Sequence, residues 1–235
     1  LLLSSATVTK PRTEHLAAII FGSDQGLCGQ FNQQIAAHAL EYLNERQEKA
    51  ENLAIAAVGG RIIPLLETGG YSVAEYFALP NSASGITTVV QGILLKIEQW
   101  REHQQIDRIV MFYNEPRSGA SYHSRHLQLL PLDPEWLRQL EQREWPTAML
   151  PTFTMDVQQL FAALVRQYIF VTLYRAFAAS LASENASRLA AMQSAQKNIE
   201  ERLSDLNSEY RRQRQSSITA ELLDVVAGFE ALTES

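Results

Sequence analysis

From Thr152 through Ala227 the chain runs without a proline or a glycine. No other feature constrains the fold as much, because those two residues are the usual terminators of helices. If Asp156 to Ala227 is one continuous helix, its length at about 1.5 Å per residue is roughly 108 Å. Such a rod cannot be buried along its whole length against a small domain. The segment from Leu160 to Leu181 is apolar but carries Arg166, Gln167 and Arg175, which favours a helix packed in protein over one crossing a bilayer. Beyond it, Asn185, Leu189, Met192, Gln196, Ile199, Leu203, Leu206, Tyr210, Gln213 and Ser217 recur at steps of mainly four and three. This is the spacing that keeps a seam facing a partner helix. Alanines at 176, 178, 179, 182, 186, 190, 191 and 195 raise helix propensity and keep the rod narrow. The apolar stripe therefore calls for another helix or a surrounding assembly to cover it.

The region before it has a different texture. Leu16 to Phe21, Leu53 to Val58 and Arg108 to Tyr113 are short apolar runs that read as buried strands, the last stopped by Asn114, Glu115 and Pro116. Helices are expected at Phe31 to Glu48 and at Gly85 to His103, where Val90, Ile93, Leu94, Ile97 and Trp100 give a packing face. A small strand is expected at Tyr71 to Ala74, and an edge strand, mixed or antiparallel, at His123 to Leu132. Pro131, Pro134, Pro146 and Pro151 then break the chain. Strand, helix, strand, helix, strand predicts an α/β fold, a Rossmann-like three-layer domain. The expected divisions are a remnant of a helix and a linker over 1–15, the α/β domain over 16–151, and a long carboxy-terminal helix over 152–235.

Composition narrows the function classes. The 235 residues are 46% hydrophobic and 20% charged, enough for a substantial core. A net charge of -6 argues against a nucleic-acid partner. The single cysteine, Cys28, rules out an internal disulfide and fits a reducing compartment. Leu1-Leu2-Leu3 lacks an initiator methionine and is too short for a signal sequence or a membrane span, so the chain is read as a fragment.

The apparent active-site motif is Gly22-Ser23-Asp24-Gln25-Gly26-Leu27-Cys28-Gly29-Gln30-Phe31-Asn32. A glycine-rich turn before a helix can offer amides to a phosphate, and Asp24 could hold magnesium. The phosphate-loop lysine with its serine or threonine is absent, however, as is a strict dinucleotide glycine pattern. The favoured reading is a tight strand-to-helix connection. In it Ser23 or Asp24 satisfies local amides while Leu27 and Cys28 pack inward. Cys28 has no visible base to make it a nucleophile. His15, His38, His103, His123 and His126 read as ordinary polar positions, with His123 and His126 on opposite faces of their strand. Asp133 and Glu135, separated by Pro134, do not make a catalytic pair. Tyr210-Arg211-Arg212-Gln213-Arg214-Gln215-Ser216-Ser217-Ile218-Thr219 carries exposed arginines suited to directional contacts with acidic loops of a partner.

Together, Gly22 to Asn32 and Met192 to Thr219 resemble, in this order, the glycine-cysteine-glycine segment and the carboxy-terminal rotor helix of the gamma subunit of F-type ATP synthases. The Asp24-Gln25 pair and the segment His123 to Trp145 suggest a divergent, sodium-associated form. The resemblance implies a non-catalytic central rotor stalk of the F1 sector. Its α/β domain would lie near the membrane, and its long helix would form an antiparallel coiled coil with an amino-terminal helix that is almost wholly absent here. The implied partners are the alpha and beta subunits, the epsilon subunit and the membrane c ring, with no cofactor, no metal, no nucleic acid and no direct nucleotide substrate. The implied location is peripheral, on the cytoplasmic face of the membrane. By the same resemblance Arg214, Gln215, Thr219 and Glu221 would contact the beta subunit, while Gly22, Gly26, Cys28 and Gly29 form a structural connection. Two other readings stand beside it: a coiled-coil scaffold with an α/β binding domain, and a nucleotide-dependent enzyme using the glycine-rich turn.

Overall fold

The computed structural model describes residues 15–46, 52–80, 82–119, 121–144, 149 and 152–233. The expected 1–15 remnant thus lies, His15 apart, outside the described residues. The chain divides into two compact units, Leu1–Leu189 and Ala190–Ser235.

The first unit is built on a five-stranded sheet, β1 (Leu16–Phe21), β2 (Leu53–Val58), β3 (Glu75–Phe77), β4 (Arg108–Pro116) and β5 (Tyr122–Leu130), in the order β3-β2-β1-β4-β5. The pairings among β1 to β4 are parallel, and β5 runs antiparallel to β4. All six residues of β1 are buried. An unbroken apolar strand of this kind needs cover on both faces, and the helices supply it. On one face Leu16, Ala18, Ile20, Ile55, Val110 and Phe112 meet α1 (Phe31–Glu45) through Ile35, Ala39, Tyr42 and Leu43, together with Leu66 of α2 (Ile63–Thr68). On the other, Ala17, Ile19, Phe21, Val58 and Met111 meet two helices. One is α3 (Ile86–His103), through Val90, Ile93, Ile97 and Trp100; the other is the first part of α5 (Val157–Thr233), through Ile169, Leu173, Ala176 and Phe177. This is the expected three-layer α/β arrangement.

Local differences from the sequence reading have physical causes. The small strand forms at Glu75–Phe77 rather than Tyr71 to Ala74, because there its backbone reaches Ala56 to Val58, and Lys96 of α3 pairs with Glu75. Asn114, Glu115 and Pro116 do not stop β4. They continue it opposite Ser124, His123 and Tyr122, since the antiparallel partner bonds the strand past the end of β1. The prolines near 134 do not simply break the chain either. α4 (Pro134–Gln142) forms with Pro134 in its first turn and with Asp133 accepting from the Glu135 N–H at 2.8 Å, the arrangement that starts a helix.

Asp156 likewise accepts from the Gln158 and Gln159 amides at the head of α5. α5 holds a stretch long and apolar enough to cross a membrane by length and composition, and within the first unit one face of this helix is packed on the sheet. In the second unit Met192, Ile199, Leu203, Leu206 and Tyr210 of the predicted stripe are exposed, Tyr210 at 64%.

Candidate functional site

The glycine-rich segment leaves the C-terminal end of β1, where open α/β sheets commonly bind ligands. Here the loop turns its polar groups toward its own fold. The Gly22 amide donates to Val58 O (2.7 Å), and the Ser23 amide donates to Asn32 Oδ1 (2.9 Å), whose Nδ2 returns a bond to Ser23 Oγ (2.8 Å). Asp24 is turned to the same internal use. Its two oxygens accept from the Gly60 amide (2.6 Å), the Leu79 amide (2.6 Å) and the Tyr76 hydroxyl (3.0 Å), tying the loop to the segments that follow β2 and β3. Burial first, and then the bond to Asp24, push the Tyr76 phenol up. Gly22 has no room for a side chain, since a Cβ would lie 2.7 Å from Ile62 Cβ, and Gly29 takes a left-handed φ of 59°.

Cys28 packs inward as expected, in reach of Ser23 Oγ and Asn32 Nδ2 at 3.6 Å. Leu27 does not. It is 73% exposed at a φ of 62°, because the turn that buries Cys28 swings the preceding side chain out.

The carbonyls of this loop are bound by the long helix. Ser187 Oγ donates to Cys28 O (2.6 Å), Arg188 Nε to Gly26 O (3.1 Å) and an Arg188 terminal nitrogen to Gln25 O (3.2 Å). That nitrogen also pairs with Glu184 Oε1 at 2.6 Å. Glu184 is only 4% exposed; burial, opposed by Arg188, raises its carboxyl above the usual carboxylate range. Nearby, the Ser183 hydroxyl reaches Asn114 O at 3.2 Å, and Asn114, wholly buried, joins the start of α1 to Ser124 of β5. The loop thus turns carbonyls toward a guanidinium and engages its first amides within the fold. That is the reverse of a phosphate cradle, which needs converging free amides.

Sequence reasoning missed Glu184, Ser187, Arg188 and Asn114. The signal was present: Ser180, Ser183, Glu184 and Ser187 continue the three-and-four spacing of Ile169, Leu173, Ala176 and Phe177, with buried polar residues in place of apolar ones.

The histidines divide in an unexpected way. His38 Nε2 and His126 Nδ1 lie 3.1 Å apart across α1 and β5, beside Tyr42, over which Arg46 stacks at 4.3 Å. Burial, His38, Arg46 and Arg125, in that order, lower the His126 pKa. His123 is on the opposite face as predicted, 3.2 Å from Glu115. No group of three or more His, Cys, Asp or Glu able to hold a metal comes together among the described residues. A shallow recess lined by His15, Asn52, Leu53, Ala54, Gln104 and Ile106 sits at the N-terminal ends of the parallel strands, away from the glycine loop.

The structure places Arg214, Gln215, Thr219 and Glu221 on the exposed helix of the second unit, apart from the glycine loop in sequence and in unit. The Thr219 hydroxyl donates to the Gln215 carbonyl one turn back, at 2.8 Å.

Comparison with known proteins bears on both units. The family model described as ATP synthase matches residues 2–232. The ATP synthase gamma chain of a Sulfurovum species is 30% identical over 91% of this chain and 71% of its own length; that of Trichlorobacter lovleyi is 29% identical over 95% and 75%. Among solved structures, a chain of the Euglena gracilis mitochondrial ATP synthase OSCP/F1/c-ring assembly shares the fold with a TM-score of 0.68 at 19% identity, over 93% of this chain and 73% of that one. A chain of the Tetrahymena thermophila central stalk and c-ring gives 0.58 at 19% identity, over 83% and 81%. With a family model spanning almost all of its residues, a gamma chain 30% identical over most of both lengths, the α/β layers in place and the long helix following them, this chain belongs to the ATP synthase gamma chain family.

Proposed function

We propose that the chain is the central-stalk shaft of the F1 sector, coupling ion flow through a membrane c ring to nucleotide turnover in a surrounding ring of alpha and beta subunits. The gamma chain is a non-catalytic rotor component, so its work is transmission. The observation that carries this reading is the helix of the second unit. Its apolar residues, Leu203, Leu206 and Leu222 among them, are exposed, and unpaired apolar surface on this scale calls for a covering chain. An asymmetric shaft turning inside a ring biases its subunits toward different conformations in succession, through contacts that differ between states.

In this reading the partners are alpha, beta, epsilon and the c ring, and the protein is peripheral, on the cytoplasmic face of the membrane. Arg214, Gln215, Thr219 and Glu221 contact beta, and Arg214 is the principal charged contact. Gly22, Gly26, Cys28 and Gly29 serve the connection between strand, loop and helix. The 152–235 segment acts as the rotor helix and 16–151 as the body that holds it. Native mass spectrometry of the complex recovered from source membranes tests the assignment: alpha, beta and this chain in one assembly are expected, and a complex without alpha and beta overturns it. The isolated chain is expected to show no ATP hydrolysis. Sustained turnover that disappears on changing Asp24 would revive an enzymatic reading.

A further inference from the structure

We infer that Arg188, braced by Glu184, is the torsional lock that fixes the rotational register of the long helix against the glycine loop of the α/β body. This inference rests on the central-stalk reading. The grip of the body on α5 has two chemically distinct parts. Ile169, Leu173, Ala176 and Phe177 hold it by apolar burial, which resists separation but has no preferred direction. The polar part is directional. Arg188 donates from two different nitrogens to two neighbouring carbonyls, Gly26 O and Gln25 O, and Ser187 holds a third, Cys28 O. A planar fork bound at two points resists rotation about the helix axis as a single point charge does not.

Both ends of the lock are anchored. Glu184, buried one turn earlier on the same helix, holds the guanidinium at 2.6 Å. On the other side the loop is fastened to the sheet by the Gly22 amide, which donates to Val58 O of β2, and to the rest of the body by Asp24, through the Gly60 and Leu79 amides, and by Ser23, through Asn32 of α1. A continuous path of directed bonds therefore runs from the sheet through 22–28 into the helix at 184–188. It enters within the last turn of the first unit, which closes at Leu189. Arg188 acts as a positioning residue: it holds the helix residues of the first unit in register with the glycine loop.

The test is made in a reconstituted complete synthase carrying Arg188→Ala, Arg188→Lys or Glu184→Gln. Subunit composition, unloaded ATP hydrolysis, and ions pumped per ATP against an opposing gradient are measured. For Arg188→Ala, composition and unloaded hydrolysis remain at the parent level, while pumping per ATP under load falls about twofold or more, the lower end of the coupling lost with one link of a contact path. Arg188→Lys and Glu184→Gln fall between, because the ammonium keeps charge without the fork and the amide keeps an acceptor oxygen without the charge that braces it; parent-level pumping under load by Glu184→Gln removes Glu184 from the lock. Load separates this role from simple stability, since a merely structural contact lowers the amount of assembled complex and not its pumping ratio. Parent-level pumping under load in assembled Arg188→Ala overturns the lock. If that variant does not assemble, Arg188→Lys decides, and parent-level pumping by it under load overturns the lock equally. A parent chain that fails to enter an alpha-beta ring overturns the central-stalk reading, and the lock with it.

Discussion

Phe177→Ala should release the long helix from the sheet. The Phe177 side chain is wholly buried, with its ring edge-on to Phe21 at 5.4 Å and 84°. Leu173 and Ala176 complete the patch on this helix face. Truncating a buried phenylalanine costs about 3–5 kcal/mol through lost transfer energy and the cavity left behind. The edge-to-face contact with Phe21 accounts for about 0.5–1.5 kcal/mol of that sum. With a urea dependence of about 2 kcal/mol per molar, the unfolding midpoint of the isolated chain should fall by about 1.5–2.5 M. Phe177→Leu keeps most of the volume and should lose less than half as much. Hydrogen exchange locates the effect: amides from 169 to 187 lose protection, while those from 193 to 229, already on an exposed helix, change little. A midpoint shift below about 0.5 M, or a loss of protection confined to the second unit, would refute the view that this ring docks the helix.

Three further outcomes are expected. Asp24→Ala removes the acceptor for two amides and one hydroxyl and should cost about 2–3 kcal/mol in thermal unfolding, with Asp24→Asn milder; no change in melting temperature would mean water replaces the carboxylate freely. The His126 pKa is lowered in the fold, so the unfolded chain binds its proton more readily. The stabilising contribution is therefore complete above about pH 6.5 and lost as pH falls through the folded pKa; His126→Gln should flatten the acid side of a urea-midpoint profile, and an unaltered slope would contradict the assignment. Arg214→Ala together with Gln215→Ala should lower ion pumping or rotor torque in an assembled synthase more than it lowers assembly, whereas parent-level torque over repeated loaded rotations would remove these two residues from the beta contact.

Much of this fold follows from patterns in the chain that need no partner to be read. β1 and β2 occupy Leu16 to Phe21 and Leu53 to Val58 as expected, because apolar runs bounded by turn residues can be satisfied only inside a covered sheet. The long helix follows from a span without breakers, and its exposed stripe from a three-and-four spacing that continues where the α/β body no longer covers it. The helix at Pro134–Gln142 was legible as well, in Asp133 followed by Pro134, but the prolines around it read as interruptions. Long-range packing settled the rest. The small strand β3 lies where a free edge of β2 accepts it, and Leu27 is turned outward by the backbone that buries its neighbour. The partners of Ser187 and Arg188 are carbonyls 159 to 163 residues earlier in the chain. Serine, glutamate and arginine on a helix read as a solvent face, since their side chains are ordinarily left in water. Only when the fold brings loop carbonyls with acceptor capacity to spare against them do these side chains find partners that offset the cost of burying them.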